Sequence, residues 1–218
     1  MSSKGRSTRL NRSFSDALKE DVIFVNNPVF ISGLGLAPLI VVVNSVRSAI
    51  IISIAVAIMS IITRPLASLL CINRPQRAWP SLYVLVAAIS YIPALMLLEQ
   101  LYTLNSIRIA VGLYLPLLAA DEIVISRSAI PVREPIGKAF VHGLNTAIGF
   151  AVAAFIIGAL REMLGSGTFM GNPIVLGTKF RLLTTAGGGF LIIGLLAALW
   201  QYLVGIYKDL ASRGGDKK

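Results

Sequence analysis

The 218-residue chain is apolar and basic: hydrophobic residues make up 56% of it, charged residues only 14%, and the formal net charge is +10. A soluble domain carries about 25% charged residues, and here the apolar residues form long blocks instead of amphipathic stripes. This composition excludes an ordinary soluble domain and predicts an all-α polytopic membrane protein in contact with the lipid bilayer. The basic residues are scattered without an aromatic platform, so we expect no nucleic-acid partner.

Six membrane segments are predicted after a basic, amphipathic N-terminal stretch around residues 13–25. Residues 1–20 are polar, so we expect no cleaved secretory signal. Crossing a bilayer as a helix takes about 20 apolar residues, and six stretches approach that length with their flanks. Their predicted spans are residues 28–46, 48–70, 79–100, 106–126, 137–160 and 184–207.

The first and fourth segments contain helix-breaking residues. The first reads "NNP" at its start and then "GLGLAP", which ends at Pro38, whereas the fourth places Pro116 shortly before Asp121 and Glu122. Proline lacks the backbone donor and clashes with the preceding helical turn. We therefore expect both segments to be discontinuous half-helices.

These two segments also resemble each other. "PLIVVVNSVRSAI" (38–50) and "PLLAADEIVISRSAI" (116–130) both begin with Pro-Leu and end in Arg-Ser-Ala-Ile. Three membrane crossings separate the copies, which would turn the second copy upside down. The pattern predicts two inverted three-helix repeats, with a site between their half-helices; chance similarity of apolar sequence is the alternative. The predicted regions are residues 1–27 (N-terminal segment), 28–105 and 106–208 (repeats) and 209–218 (tail).

The distribution of basic residues predicts the orientation in the membrane. Of the 20 Lys and Arg residues, fifteen fall on the side that carries both termini and five on the other. Loops rich in Lys and Arg stay in the cytoplasm. We therefore expect both termini to be cytoplasmic and the protein to lie in a cell (inner) membrane.

Two adjacent carboxylates, Asp121 and Glu122, lie in the apolar fourth segment. One charge at the centre of a membrane helix costs about 2.5–3.5 kcal/mol on insertion scales, so each such acid is a candidate functional residue. Either the pair takes up protons or a cation, or it serves a structural role by pairing with Arg47, Arg127 or an arginine of a partner. Cys71 is the single cysteine, so no metal site is predicted.

Three stretches of the chain resemble one protein family. They are "NNPVFISGLGLAPLIVVVNS", "GLYLPLLAADEIVISR" and "GLNTAIGFAVAAFIIGALREMLGSGTF". They are similar to the RnfE/NqrD membrane subunits of the Rnf and NQR respiratory complexes of bacteria and archaea. The resemblance implies a six-helix inverted-repeat fold and a homologous sister subunit of opposite topology, RnfA/NqrE-like, as partner.

The chain departs from that family at the two positions that bind its cofactor. The family's half-helices carry Gly-Leu-Cys-Pro and Asn-Cys, and those cysteines, with two from the sister subunit, hold a [2Fe–2S] cluster. Here the positions read Gly35-Leu36-Ala37-Pro38 and Asp121-Glu122. Alanine has no ligating atom, and a carboxylate is a hard ligand where the cluster takes soft thiolates. We therefore expect this chain to hold no cluster, with redox cofactors on partner subunits.

The resemblance implies a membrane subunit of an Rnf/NQR-like electron transport complex coupled to translocation of Na⁺ or H⁺. The alternatives are an ion- or proton-translocating protein that uses Asp121 and Glu122, and a scaffold. No phosphate loop, dinucleotide fingerprint or nucleophile–base arrangement is present, so no catalytic residue is predicted. The candidate residues form a half-helix interface site: Gly35, Ala37, Pro38, Pro116, Asp121 and Glu122.

Overall fold

A computed structural model describes residues 24–72, 74–102, 114–125, 135–174 and 179–215. In chain order its α-helices are α1 (Leu36–Val41), α2 (Val46–Cys71), α3 (Trp79–Leu101), α4 (Tyr114–Leu117), α5 (Glu122–Ile125), α6 (Ile136–Arg161) and α7 (Ala186–Gly215). Almost all of the predicted amphipathic stretch 13–25, and Arg127 with it, lie outside the described residues.

Four of these helices, α2, α3, α6 and α7, are long and apolar enough to cross a membrane. They coincide with the predicted second, third, fifth and sixth segments, because a long apolar run is a direct signal for a membrane helix. The mostly helical, polytopic class is thereby confirmed. The first predicted segment, and the described part of the fourth, contain no helix of spanning length.

The first and fourth segments are built from short helical pieces. In the first, turns precede α1, which has only six residues, and a bend separates it from α2. In the fourth, α4 is followed by a 3₁₀ turn (Leu118–Ala120), and Asp121 is extended before α5 begins. Pro38 does not interrupt a helix. It lies in the first turn of α1, where its missing N–H has no intrahelical partner to lose.

The ends of the long helices carry sequence signals of their own. Ser45 caps α2: its hydroxyl accepts the N–H of Ser48 at 3.2 Å, and the Ser48 hydroxyl accepts the N–H of Ser45 at 3.1 Å. This reciprocal capping box satisfies two backbone donors at the start of the helix. Pro80 lies in the first turn of α3, a position where proline is tolerated.

Helix α2 packs against both α6 and α3, and these are the most extensive contacts between the described helices. A methyl group added at Gly158 of α6 would lie 2.9 Å from the Ser45 carbonyl oxygen, and one at Gly143 would lie 2.8 Å from that of Ser60. The two helices are therefore antiparallel and in close contact at both glycines, as small residues permit in membrane helix pairs.

The outer faces of α3 and α7 carry much of the exposed apolar surface of the described residues. Exposed side chains there include Leu85, Ile89, Leu195 and Leu199. Lipid tails are as apolar as leucine, so these faces suit contact with the bilayer.

A short hairpin that the sequence did not predict follows a π-helical turn at Glu162–Ser166. It pairs β1 (Thr168–Phe169) with β2 (Asn172–Pro173).

Candidate functional site at the two helix breaks

Gly35 marks the start of the first short helix. Its φ of 70° lies in the left-handed region, which glycine adopts without steric cost. Next to it, Ala37 is exposed and Pro38 is buried. The turn before Gly35 is anchored by Asn27, whose amide donates to the Gly149 carbonyl of α6 at 3.0 Å and whose side-chain oxygen accepts the N–H of Val29. Asn27 thus ties the turn before Gly35 to α6, and with it the first half of the predicted site.

The second break is centred on Asp121. Its Oδ1 accepts the N–H of Ile123 at 2.9 Å, which holds the first turn of α5 as an N-terminal cap. Pro116 is exposed within α4, and Glu122 is the first residue of α5. The side chain of Glu122 lies outside the described part of the structure.

The two breaks meet inside the protein. A methyl group placed on Gly35 would lie 3.2 Å from Cδ1 of Ile123, the residue that follows the carboxylate pair, and 2.9 Å from the ring of Phe150. The structure therefore brings the start of α1 against the start of α5, with α6 behind both. This is the proximity that the predicted half-helix site requires.

Arg161, at the end of α6, binds the C-terminal end of α1, where the chain leaves the first short helix. It is fully buried, and all three of its guanidinium nitrogens donate to backbone carbonyls, with N···O distances from 2.7 to 3.2 Å. Three of those carbonyls lie at the end of α1 and three before α7: Leu39, Ile40, Val43, Leu183, Thr184 and Thr185. A cation is stabilising at the C-terminus of a helix, which is the negative end of the helix dipole. The orphan carbonyls of the short helix are therefore satisfied within the chain.

The next residue, Glu162, binds the start of α2, which follows the gap after α1. Its Oε2 accepts the N–H of Val46, the first residue of α2, at 2.8 Å. Its Oε1 accepts the N–H of Gly171 at 2.8 Å and the hydroxyl of Thr168 at 3.2 Å. A carboxylate is stabilising at the positive N-terminus of a helix. Arg161 and Glu162 thus bind the end of α1 and the start of α2 respectively.

Replacing Glu162 by glutamine should lower the free energy of unfolding by about 1.5–3 kcal/mol, the range for hydrogen bonds to charged groups. Glutamine keeps one acceptor oxygen and turns an NH₂ group toward a backbone donor. Denaturant unfolding of the purified protein measures the change. Glu99→Gln, at an exposed position of α3, is the control and should have almost no effect; equal effects of the two substitutions would contradict the role of Glu162.

A second buried arginine, Arg64, binds the other break. Its Nη2 donates to the Ile123 carbonyl at 3.2 Å, and its side chain is 3% exposed. Arg47, the predicted charge partner, is exposed near the opposite end of α2, about 25 Å along the axis at 1.5 Å per residue. The structure places Arg64, which was not among the predicted charge partners, beside the segment that carries Asp121.

Arg64 and Arg161 enter the predicted orientation as loop charges. Both side chains are buried inside the protein, so removing one from each side of the orientation count leaves fourteen basic residues against four, and the excess stays on the same side. The signal that could have found Arg161 and Glu162 is the Leu-Arg-Glu sequence at the end of an apolar run. Burying a charged pair there costs free energy unless backbone groups or opposite charges bind the two side chains.

These features define a polytopic α-helical membrane protein with two interrupted segments that buried arginines tie to long helices. The sequence model of the family described as "Rnf-Nqr subunit, membrane protein" matches residues 17–197. The chain belongs to this Rnf-Nqr family of membrane protein subunits.

Several relatives share more than four fifths of their length with the chain. A protein of Edwardsiella ictaluri (strain 93-146), described as a subunit of an ion-translocating oxidoreductase complex, is 30% identical over 198 residues, which cover 84% of this chain and 83% of the relative. The proteins of the same description from Pseudoalteromonas atlantica and Yersinia pestis (strain Pestoides F) are 30% and 29% identical over 192 residues, covering 81% of this chain and 82% of each relative.

Proposed function

We propose that this chain is an integral membrane subunit of an Rnf- or NQR-type electron transport complex that couples redox chemistry to translocation of Na⁺ or H⁺. The family match and the description of its relatives as subunits of an ion-translocating oxidoreductase complex support this function. The structural observation that carries it is the meeting of two helix breaks at Gly35 and Ile123, because broken membrane helices characterise proteins that handle ions or substrates at the bilayer midplane.

The proposed architecture is six membrane segments in two inverted three-helix repeats. Arg161, from the fifth segment, binds the break in the first segment, and Arg64, from the second, binds the break in the fourth. The contact is therefore reciprocal between the halves, as expected of a two-fold relation. The antiparallel packing of α2 on α6, the second helix of each half, agrees with it. Both termini are proposed to face the cytoplasm across a bacterial or archaeal inner membrane.

The proposed partner is a homologous sister subunit of opposite topology, RnfA/NqrE-like, within a larger complex. Ala37 is exposed at the first break, and Pro116 and Leu117 are exposed at the second. Irregular backbone at membrane depth is tolerated where protein covers it, and lipid cannot serve in that way. A sister subunit placed over both breaks would supply that cover.

The chain is proposed to contribute no ligand to an iron–sulfur cluster. At the first break the family's cysteine is replaced by Ala37, whose methyl group cannot bind iron. Cys71 is at the far end of α2, about 37 Å from the start of that helix, where it packs with Trp79 and Tyr83. The second break, beside Arg64, is nearer, at about 10 Å along the axis of α2, and a cysteine side chain is too short to cover that distance. The proposed redox cofactors lie on the partner subunits.

A second candidate function is ion or proton translocation through Asp121 and Glu122. The observation in its favour is the extended backbone at Asp121, which interrupts the fourth segment beside a buried arginine. Ionisable residues inside membrane segments commonly mark ion pathways and proton relays. A scaffold role, the third alternative, would require no chemistry of these carboxylates.

The test is Glu122→Gln in the complex purified from its native membrane. We expect redox-driven ion transport to fall at least about tenfold, which corresponds to about 1.4 kcal/mol, and the iron content of the complex to stay unchanged. Glu99→Gln, at an exposed position near the end of α3, should alter neither quantity. Ion flux into vesicles, electron transfer rate and iron analysis are the measurements.

Each outcome of this experiment separates the proposals. Loss of transport with intact assembly favours a direct role of the carboxylate, and loss of assembly alone favours the scaffold. If the complex that carries Glu122→Gln loses its iron, the proposal that this chain supplies no cluster ligand is overturned. Purification without any redox subunit would overturn the proposed membership in an electron transport complex.

A further inference from the structure

Three polar side chains form a buried cluster on one face of α2: Ser60, Thr63 and Arg64. Ser60 and Thr63 are 0% exposed and Arg64 is 3% exposed. Residues spaced by three and four positions are neighbours on a helix surface. The cluster faces the second break, because Arg64 binds the carbonyl of Ile123 and α5 packs against α2.

The hydroxyl groups of this cluster differ from the other helix hydroxyls that the structure describes. Ser53, Ser90 and Thr146 each donate to the carbonyl four residues earlier in their own helix, at 2.7–2.8 Å. This is the usual arrangement for serine and threonine inside a helix. In contrast, Ser60 Oγ and Thr63 Oγ1 have no hydrogen-bond partner among the described residues.

Two fully buried hydroxyls beside a guanidinium need a polar ligand. Buried polar atoms are nearly always hydrogen-bonded, and an ordered water satisfies about three such groups at once. A metal cation is disfavoured here, because Arg64 already places a positive charge next to Thr63. Water can accept from the guanidinium and can both accept from and donate to the hydroxyls.

We propose that Ser60, Thr63 and Arg64 form a hydration site that holds at least one ordered water molecule beside the second helix break. The backbone of Ile123 links this site to Asp121, since its N–H donates to Asp121 and its carbonyl accepts from Arg64. The site gives the intramembrane carboxylate a neighbouring proton donor and acceptor. It holds whether or not the chain works in an electron transport complex.

Thr63→Val tests the site through the sign of its effect on stability. Valine has nearly the same shape and the same branching at Cβ, so the substitution removes only the hydroxyl. Loss of a hydroxyl that binds water should destabilise the protein, so we expect the Tm of the purified protein to fall by about 2–4 °C. Thr146→Val is the matched control, since the Thr146 hydroxyl donates to a carbonyl of its own helix, and it should shift the Tm by less than about 1 °C.

The opposite results would overturn the proposal. If the hydroxyl is dry and unpaired, valine removes a buried polar group without a partner and the Tm rises. If the hydroxyl turns back to its own helix, Thr63→Val behaves like Thr146→Val. A second measurement does not depend on stability: in bilayers, water-edited solid-state NMR should show faster transfer from water to the amides of residues 60–64 than to those of Ile51 and Ile52. Equal rates would exclude the site.

Discussion

Replacing Arg161 by methionine should lower the free energy of unfolding by at least about 3 kcal/mol, which is the scale for removing one partner of a buried charged network. Methionine fills a similar volume but leaves carbonyls of Leu39, Ile40 and Val43 without donors at the end of α1. Lipid cannot replace those donors. We expect most of the protein to fail to accumulate in the membrane, measured as the yield of folded protein in mild detergent.

Arg161→Lys distinguishes charge from geometry. Lysine keeps the positive charge but presents a single ammonium group, whereas the guanidinium spans carbonyls before α7 as well as those after α1. We expect lysine to restore less than half of the lost stability. Arg181→Met, at an exposed position of the turn before α7, is the control and should be nearly neutral. Full stability of Arg161→Lys would show that the charge alone suffices.

Gly35→Ala should destabilise the protein by about 2–4 kcal/mol, because two independent costs add. A non-glycine residue in the left-handed region costs about 1–2 kcal/mol. The added methyl would also lie 2.9 Å from the ring of Phe150 and 3.2 Å from Ile123 Cδ1, and overpacking a core costs about 1–3 kcal/mol. Thermal or denaturant unfolding of the purified protein measures the sum.

Gly171→Ala is the matched control for this substitution. Gly171 also has a positive φ, 85°, but nothing lies within 4 Å of an added methyl there. It should therefore show the backbone cost alone, and the difference between the two variants reports the closeness of the two breaks. If both alanine variants lose the same stability, the contact between Gly35 and Ile123 is not tight.

The long helices could be predicted from the sequence, because length and hydropathy dominate their formation. The predicted span 48–70 and the observed Val46–Cys71 differ by two residues at one end and one at the other, and 79–100 and Trp79–Leu101 by a single residue. The presence of breaks could also be predicted from Pro38 and Pro116. Their mechanism could not: Pro38 lies where α1 begins, and the chain leaves helical geometry only after Val41.

The residues that hold the breaks together could not be predicted from local sequence. Arg64 and Arg161 each lie near the end of an apolar run, where arginine in a loop and arginine inside the protein give the same pattern. Only the fold decides between these states, because it determines whether carbonyls are within reach. The six residues of the predicted half-helix site lie in the two interrupted segments, at the start of α1 and from α4 to the start of α5.

The bonds of Arg161 impose an order on biosynthesis. Leu39, at the end of α1, receives its donor from a residue 122 positions later in the chain. At a translation rate of about 5–20 residues per second, that donor is synthesised roughly 6–24 s after the carbonyl. During this interval the growing chain must keep the first break near water, in the translocation machinery or against another protein. A fragment that ends before Arg161 would never receive the donor, so we expect it to be unstable when expressed alone.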